Sequence, residues 1–226
     1  MNKTKKLIIV GTSLFGEIAY EYFTHDSEYE VVAFSVEKEY LKDDSFFGLP
    51  VIAFEDLQNT YNPDEYYVFT ALTYKELNRV RTRLYKAAKA KGYKCATYIS
   101  SKAFVWRNVK VGENTFIFED NTIQPFCTIG NNVILWSGNH IGHHSKILDN
   151  CFISSHVVIC GSCTIGENSF LAVNSIVAND VAVAEDCFIN SNAAVMKHTQ
   201  PKEIYNPAPS TVASINSLRL FRVKEN

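Results

Sequence analysis

The chain has 226 residues, with 22 Lys and Arg against 24 Asp and Glu, a net charge of −2 and a pI near 6.3. That near-neutral balance excludes a polyanion-binding surface, so no nucleic-acid partner is expected, while 46% apolar residues suffice for a large core. The opening MNKTKKLIIVG has an apolar run too short for a signal segment or a membrane span. A cytoplasmic protein without a membrane partner is therefore expected.

Strands and helices alternate through the first 98 residues. A buried strand is predicted at 7–10, ended by Gly11, and a helix at 14–24 carries Leu14, Ile18 and Phe23 near one face. A second strand follows at 29–34 and a third at 66–72. A basic amphipathic helix is predicted at 75–91 and a last strand at 94–99. Such alternation implies a small parallel sheet with covering helices, a Rossmann-like α/β domain over residues 1–98.

From residue 99 to 200 the pattern changes. Ile, Leu or Val stands at every sixth position from Ile99 to Val195, seventeen times without a slip. A fixed short period signals a solenoid in which each turn buries its apolar face on the next. With three hexads to a triangular coil, residues eighteen apart stack. Four positions after each aliphatic the slot is small, and Cys127, Cys151, Cys163 and Cys187 all occupy it. These cysteines are expected to pack as small apolar residues in a reducing compartment. The two misfits, Asn121 and Asn139, are eighteen apart and are expected to form an inward amide ladder. Beyond Pro201, residues 201–226 read as a rigid NPAP turn and a helix capped by Ser210 or Thr211. That helix would cover the open end of the solenoid with Val212, Ile215, Leu218 and Phe221.

The motif [Ile/Leu/Val]-x-x-x-[small]-x, as in IleGlyGluAsnSerPhe at 165–170, is that of the hexapeptide-repeat, left-handed β-helix acyltransferases. Joined to a Rossmann-like N-terminal domain, it resembles the bacillosamine and perosamine N-acetyltransferases and the related sialic-acid O-acetyltransferase group. The resemblance implies an all-β left-handed parallel β-helix over residues 99–200. It also implies acetyl-CoA as cosubstrate and a homotrimer with active sites between the β-helices of adjacent subunits.

The segment IleGlyHisHisSer at 141–145 resembles the family's catalytic segment, and the resemblance implies that His143 is the general base. The family has a carboxylate at the next position, where this chain has His144. Three alternatives follow: the two imidazoles share a proton, an acid such as Asp149 or one from a neighbouring chain substitutes, or the base is weaker. Gly161 lies one coil above His143, and the resemblance gives its N–H the thioester carbonyl oxygen. Phe152, Val173 and Ser191 fall on the family's coenzyme A positions. Ser13, Leu14 and Phe15, in the Gly11–Gly16 loop, fall on its nucleotide-sugar contacts, with further contacts near Val36 and on Thr73. Histidines 140, 143, 144, 156 and 198 lack the spacing of a zinc site, so no metal is expected. The reading is an acetyl-CoA-dependent N-acetyltransferase acting on a nucleotide-linked amino sugar for surface-glycan synthesis. A sugar O-acetyltransferase and a non-catalytic scaffold are the alternatives.

Overall fold

A computed structural model describes residues 3–223. The chain begins with six strands: β1 (Lys5–Val10), β2 (Tyr29–Val36), β3 (Ser45–Phe46), β4 (Leu49–Ala53), β5 (Tyr66–Thr70) and β6 (Lys94–Cys95). They form one sheet in the order β3-β4-β2-β1-β5-β6, parallel throughout except for the β3–β4 hairpin. That hairpin was not foreseen. It turns on Phe47 and Gly48, both at positive φ, the backbone that a tight two-residue β-turn requires.

Helix α1 (Leu14–His25) packs Phe15, Ala19 and Phe23 on one face of the sheet, against Leu7, Ile9 and Phe69. Helices α2 (Leu57–Thr60) and α3 (Arg79–Ala90) pack Leu57, Leu84 and Ala88 on the other face, against Ile8, Val10 and Val68. Layers of this kind are the doubly covered parallel sheet expected from the alternation. Helix α3 starts four residues later than predicted. Glu76, Leu77 and Asn78 are all left-handed, which stops the helix from extending back through them.

From Tyr98 onward the chain winds as a triangular coil of two-residue parallel strands in three sheets of seven, six and five strands. Every pairing from Tyr98 to Val195 joins residues eighteen apart, as Ile117 with Leu135 and Ile141 with Ile159. The repeat aliphatics between Ile117 and Val195 are at most 1% exposed and form one continuous column. Burying each such side chain stabilises by about 1.5–3 kcal/mol. The column, more than the two-residue ladders, therefore holds the coil together. A left-handed residue recurs at every sixth position on the corners, from Asn114 to Asn192, which accounts for the Asn and Asp found there. One more strand, Ile204–Tyr205, closes the last coil by pairing with Phe188–Ile189 after the hexads have ended.

The six cysteines are free, and burial pushes the Cys151 thiol up to about 12. Cys160 and Cys163 have Cys-x-x-Cys spacing, but Cys163 occupies the inward small slot and donates to the Ala178 carbonyl. Asn121 and Asn139 do not bond to each other. Asn121 Nδ2 donates to the Phe118 and Trp136 carbonyls, and Asn139 Oδ1 accepts from Val157 N–H. Backbone groups of the coil are the hydrogen-bond partners of both amides. The amide ladder forms instead at a corner, where Asn114 donates to Asn132 and Asn132 to Asn150. The C-terminal helix is also shorter than predicted: α4 (Ser217–Leu220), capped by Asn216 and not by Ser210 or Thr211. Val212, Leu218, Leu220 and Phe221 are exposed, so in the single chain α4 does not cover the coil end. No helix among the described residues is long and apolar enough to cross a membrane.

The α/β unit docks on the first coil sheet, whose outward positions from Tyr98 to Phe188 are aromatic except for Ile134: Tyr98, Phe116, Phe152, Phe170 and Phe188. Phe15 and Phe23 meet Phe116 with ring centroids 5.6 and 5.7 Å apart. Arg81 of α3 is 0% exposed and reaches the ladder corner. Its guanidinium donates to the carbonyls of Thr73, Asn132, Asn150 and Cys151 and to the side-chain oxygens of Asn78 and Asn132. Burial pulls its pKa from 12.5 down to about 9, so it stays charged at neutral pH. Arg81→Ala would leave several buried carbonyls without donors and is expected to lower stability by on the order of 3 kcal/mol. Urea denaturation checks this; a variant within about 0.5 kcal/mol of the parent would show the junction to be held by the aromatic rings alone.

Candidate active site

His143 stands on a corner of the coil, in the turn between the strands His140–Ile141 and Lys146–Ile147. The turn is pinned from within. Ser145 Oγ donates to the Cys160 carbonyl and accepts from Cys163 N–H, and Gly142 N–H donates to the Ile159 carbonyl. A Cβ on Gly142 would meet the Gly161 nitrogen at 2.5 Å, so only glycine lets these two turns stack. The His143 backbone N–H donates to Gln124 Oε1 at 2.9 Å. Both imidazoles are exposed, and His143 Nδ1 lies 3.1 Å from His144 Nδ1.

The column expected from the eighteen-residue spacing is present. The His143 ring lies over Gly161, where a Cβ would approach Cε1 and Nε2 to 2.8 Å. One expectation changes. The Gly161 N–H is not open, because it donates to Asn179 Oδ1 at 2.9 Å, one coil further on. An oxyanion reaching that donor has to displace the Asn179 amide. Asp149 is not the substitute carboxylate. Its oxygens accept from Asn131 N–H and Nδ2 on a different corner.

Phe152, Val173 and Ser191 come together with Thr73, Tyr74, Trp136 and Ser155 around a cavity of about 360 Å³. It lies along the corner next to that of His143, and one face of the coil separates the two. Tyr74 stacks on Phe170 at 4.8 Å and forms one wall. Within one chain, then, His143 and the residues expected to contact coenzyme A do not converge.

The remaining expected contacts divide. Ser13 and Val36 line a cavity of about 410 Å³ at the C-terminal ends of β1 and β2, together with Gly11, Thr12, Lys75 and Glu76. Glu37 and Arg83, which sequence reasoning missed, form a two-pronged ion pair at its wall, at 2.6 and 2.9 Å. The Arg83 hydrogen bonds hold the Glu37 carboxyl below the usual carboxylate range. An acidic side chain after β2 is where ribose hydroxyls are bound in sheets of this order, and its adjacency to Val36 was the available signal. Leu14 is 76% exposed and does not line this cavity. Phe15 is turned away, into the aromatic junction with Phe69 and Phe116, so its ring makes no contact there. Thr73 faces the other cavity.

No group of three or more His, Cys, Asp or Glu among the described residues could hold a metal ion. His140 lies on a face, His156 over Gly138 on the neighbouring corner, and His198 accepts from Ala182 N–H. Their positions on separate parts of the coil explain why they do not converge.

Fold and corner together define a protein of hexapeptide-repeat coils carrying an N-terminal α/β unit. Residues 94–208, just over half of the chain, match the model of the GMPPB C-terminal domain, and the chain belongs to that family. No curated protein matches its sequence. Among solved structures, the chain is similar to a histidine mutant of perosamine N-acetyltransferase from Caulobacter crescentus in complex with CoA and GDP-perosamine. The TM-score is 0.77 at 19% identity, over 88% of this chain and 92% of that one. PerB from the same organism, with the same ligands, gives 0.76 at 21% identity over 87% and 90%. The acetyltransferase domain of PglB from Neisseria gonorrhoeae, in complex with acetyl coenzyme A, gives 0.60 at 17% identity over 92% and 100%.

Gly161→Ala is expected to fold normally while the added methyl pushes the exposed His143 ring off the column. A crystal structure of the variant checks this; an unmoved ring would mean that the coil yields instead.

Proposed function

We propose that the chain is an acetyl-CoA-dependent N-acetyltransferase acting on a nucleotide-linked amino sugar for surface-glycan synthesis. The observation that carries this reading is the placement of His143 Nε2 against Gly161, a base beside a backbone donor. The neutral amine of the sugar attacks the thioester carbonyl carbon, and His143 Nε2 takes the ammonium proton. Gly161 N–H, released by Asn179, donates to the tetrahedral oxyanion. The C–S bond then breaks, coenzyme A leaves as thiolate, and the imidazolium returns the proton to give the free thiol. Amide and thiol are the products.

Residues 1–98, as a Rossmann-like domain, hold the nucleotide in the cavity of Gly11, Ser13 and Glu37. Residues 99–200, wound in the family's left-handed sense, carry out the transfer. The pantetheine arm lies along the column of Ser155, Val173 and Ser191. Three copies form the enzyme in the cytoplasm, each site joining the His143 corner of one copy to the cavity of the next. Phe104, Trp106, Ile176 and Met196 on and beside the intervening face support this, since they expose apolar surface that a second copy would cover.

Incubation with acetyl-CoA and a panel of GDP-, UDP- and dTDP-linked amino sugars, read by mass spectrometry, tests the proposal. An N-acetylated sugar is expected, with kcat falling about 10²–10⁴-fold in His143→Ala. Unchanged turnover in that variant removes the base, an O-acetylated product favours the hydroxyl acceptor, and no turnover with any acceptor favours a scaffold. Asn179→Ala frees the Gly161 donor, and a lower KM for acetyl-CoA is expected. An unchanged KM would mean that the amide does not compete.

A further inference from the structure

The left-handed corner positions from 114 to 192 are filled by Asn, Asp, Gly or Ser, with three exceptions: Phe126, His144 and His156. Histidine tolerates this backbone moderately well, but a bulky aromatic side chain there is a true outlier. Phe126 has φ 67° and a 58% exposed side chain, so burial does not explain it. Local strain of this kind persists where the ring has work to do. Phe126 stands eighteen residues before His144, and the two rings stack with centroids 4.7 Å apart and planes inclined by 25°. His144 in turn meets His143 edge to face, with the Nδ1 atoms 3.1 Å apart. No carboxylate among the described residues bonds either imidazole.

We propose that Phe126 and His144 are positioning residues that together replace the missing carboxylate. Phe126 fixes the plane of His144, and the Nδ1 lone pair of His144 accepts the Nδ1–H of His143. That hydrogen bond selects the tautomer of His143 with a free Nε2 lone pair, on the ring edge that lies over Gly161. A neutral imidazole supplies orientation without fixed negative charge. The proton taken at Nε2 is therefore shared with no acid and returns to the leaving thiolate. The inference rests on His143 as the base of the proposed transferase.

Ring 15N spectra of the full chain, with labelled histidine, test the tautomer without any substrate. Nδ1-protonated His143 is expected in the parent, shifting toward the Nε2-protonated form in His144→Leu and in Phe126→Asn. An Nε2-protonated His143 in the parent, or a tautomer unmoved by either change, would overturn the proposal. Because no turnover is involved, that result is distinct from failure of the transferase reading. In the acetylation assay, Phe126→Asn is expected to lower kcat roughly tenfold with KM for acetyl-CoA unchanged. Its unfolding midpoint should hold or rise as the left-handed strain is relieved. Activity and stability then move in opposite directions, which a merely structural residue would not produce. His144→Glu is expected to restore or raise kcat, and His144→Leu to lower it. An unchanged kcat in Phe126→Asn, or dissociation of its oligomer, would make the ring an interface residue and remove it from the mechanism.

Discussion

One buried guanidinium fixes the relation between the two parts of this chain. Arg81 enters the coil corner with no carboxylate partner, and its donors are satisfied by backbone carbonyls and two amide side chains. A buried charge is tolerated only when its donors are all taken up. The geometry of that corner is thus tightly specified. Asn114, Asn132 and Asn150 complete it, and Asn114 Oδ1 reaches across to accept from Thr70 N–H at the end of β5. Thr73, whose carbonyl binds Arg81, opens the loop that separates the two cavities. Lys75 and Glu76 face the cavity of Ser13 and Val36, and Thr73 and Tyr74 face the cavity on the coil. The Arg81 corner therefore sets the distance between the two cavities.

The aliphatic ladder made the coil legible, because a six-residue register without insertions admits few packings. It also located His143 and Gly161 in one column, since stacking at eighteen residues follows from the period alone. The same spacing, applied to polar and aromatic residues, would have found more. Asn179 is Gly161 plus eighteen, and Phe126 is His144 minus eighteen. The outward aromatics of Phe116, Phe152, Phe170 and Phe188 repeat on multiples of eighteen and mark the docking face. What the period could not show was which hydrogen bonds form within a column. Asn121 and Asn139 lie eighteen apart as expected but bond to backbone groups of the coil. The Phe47-Gly48 hairpin and the run of left-handed residues before α3 were hidden because neither follows a hydrophobic period. The C-terminal helix had the opposite fault, a helical period without neighbours to bury it.

The shape of the coil itself puts His143 and the cavity of Val173 and Ser191 on two different corners. A triangular prism puts adjacent corners one face apart, and a rigid column cannot bend to bring them together. In the proposed enzyme a second copy of the chain joins the His143 corner to the cavity of Val173 and Ser191, and the exposed apolar side chains on the intervening face are the surface it would cover. With no insertion in any coil between Tyr98 and Val195, the proposed transferase would leave acceptor choice to the α/β cavity with Glu37 and Arg83 and to surfaces between copies.

Mixing two inactive variants tests that division most directly. His143→Ala removes the proposed base, and Val173→Trp fills the neighbouring cavity. If each site takes His143 from one copy and the cavity from the next, co-assembly at equal amounts regains roughly a quarter of parental turnover by random pairing. Turnover no higher than that of the separate variants, in demonstrably mixed assemblies, would contradict a site shared between copies.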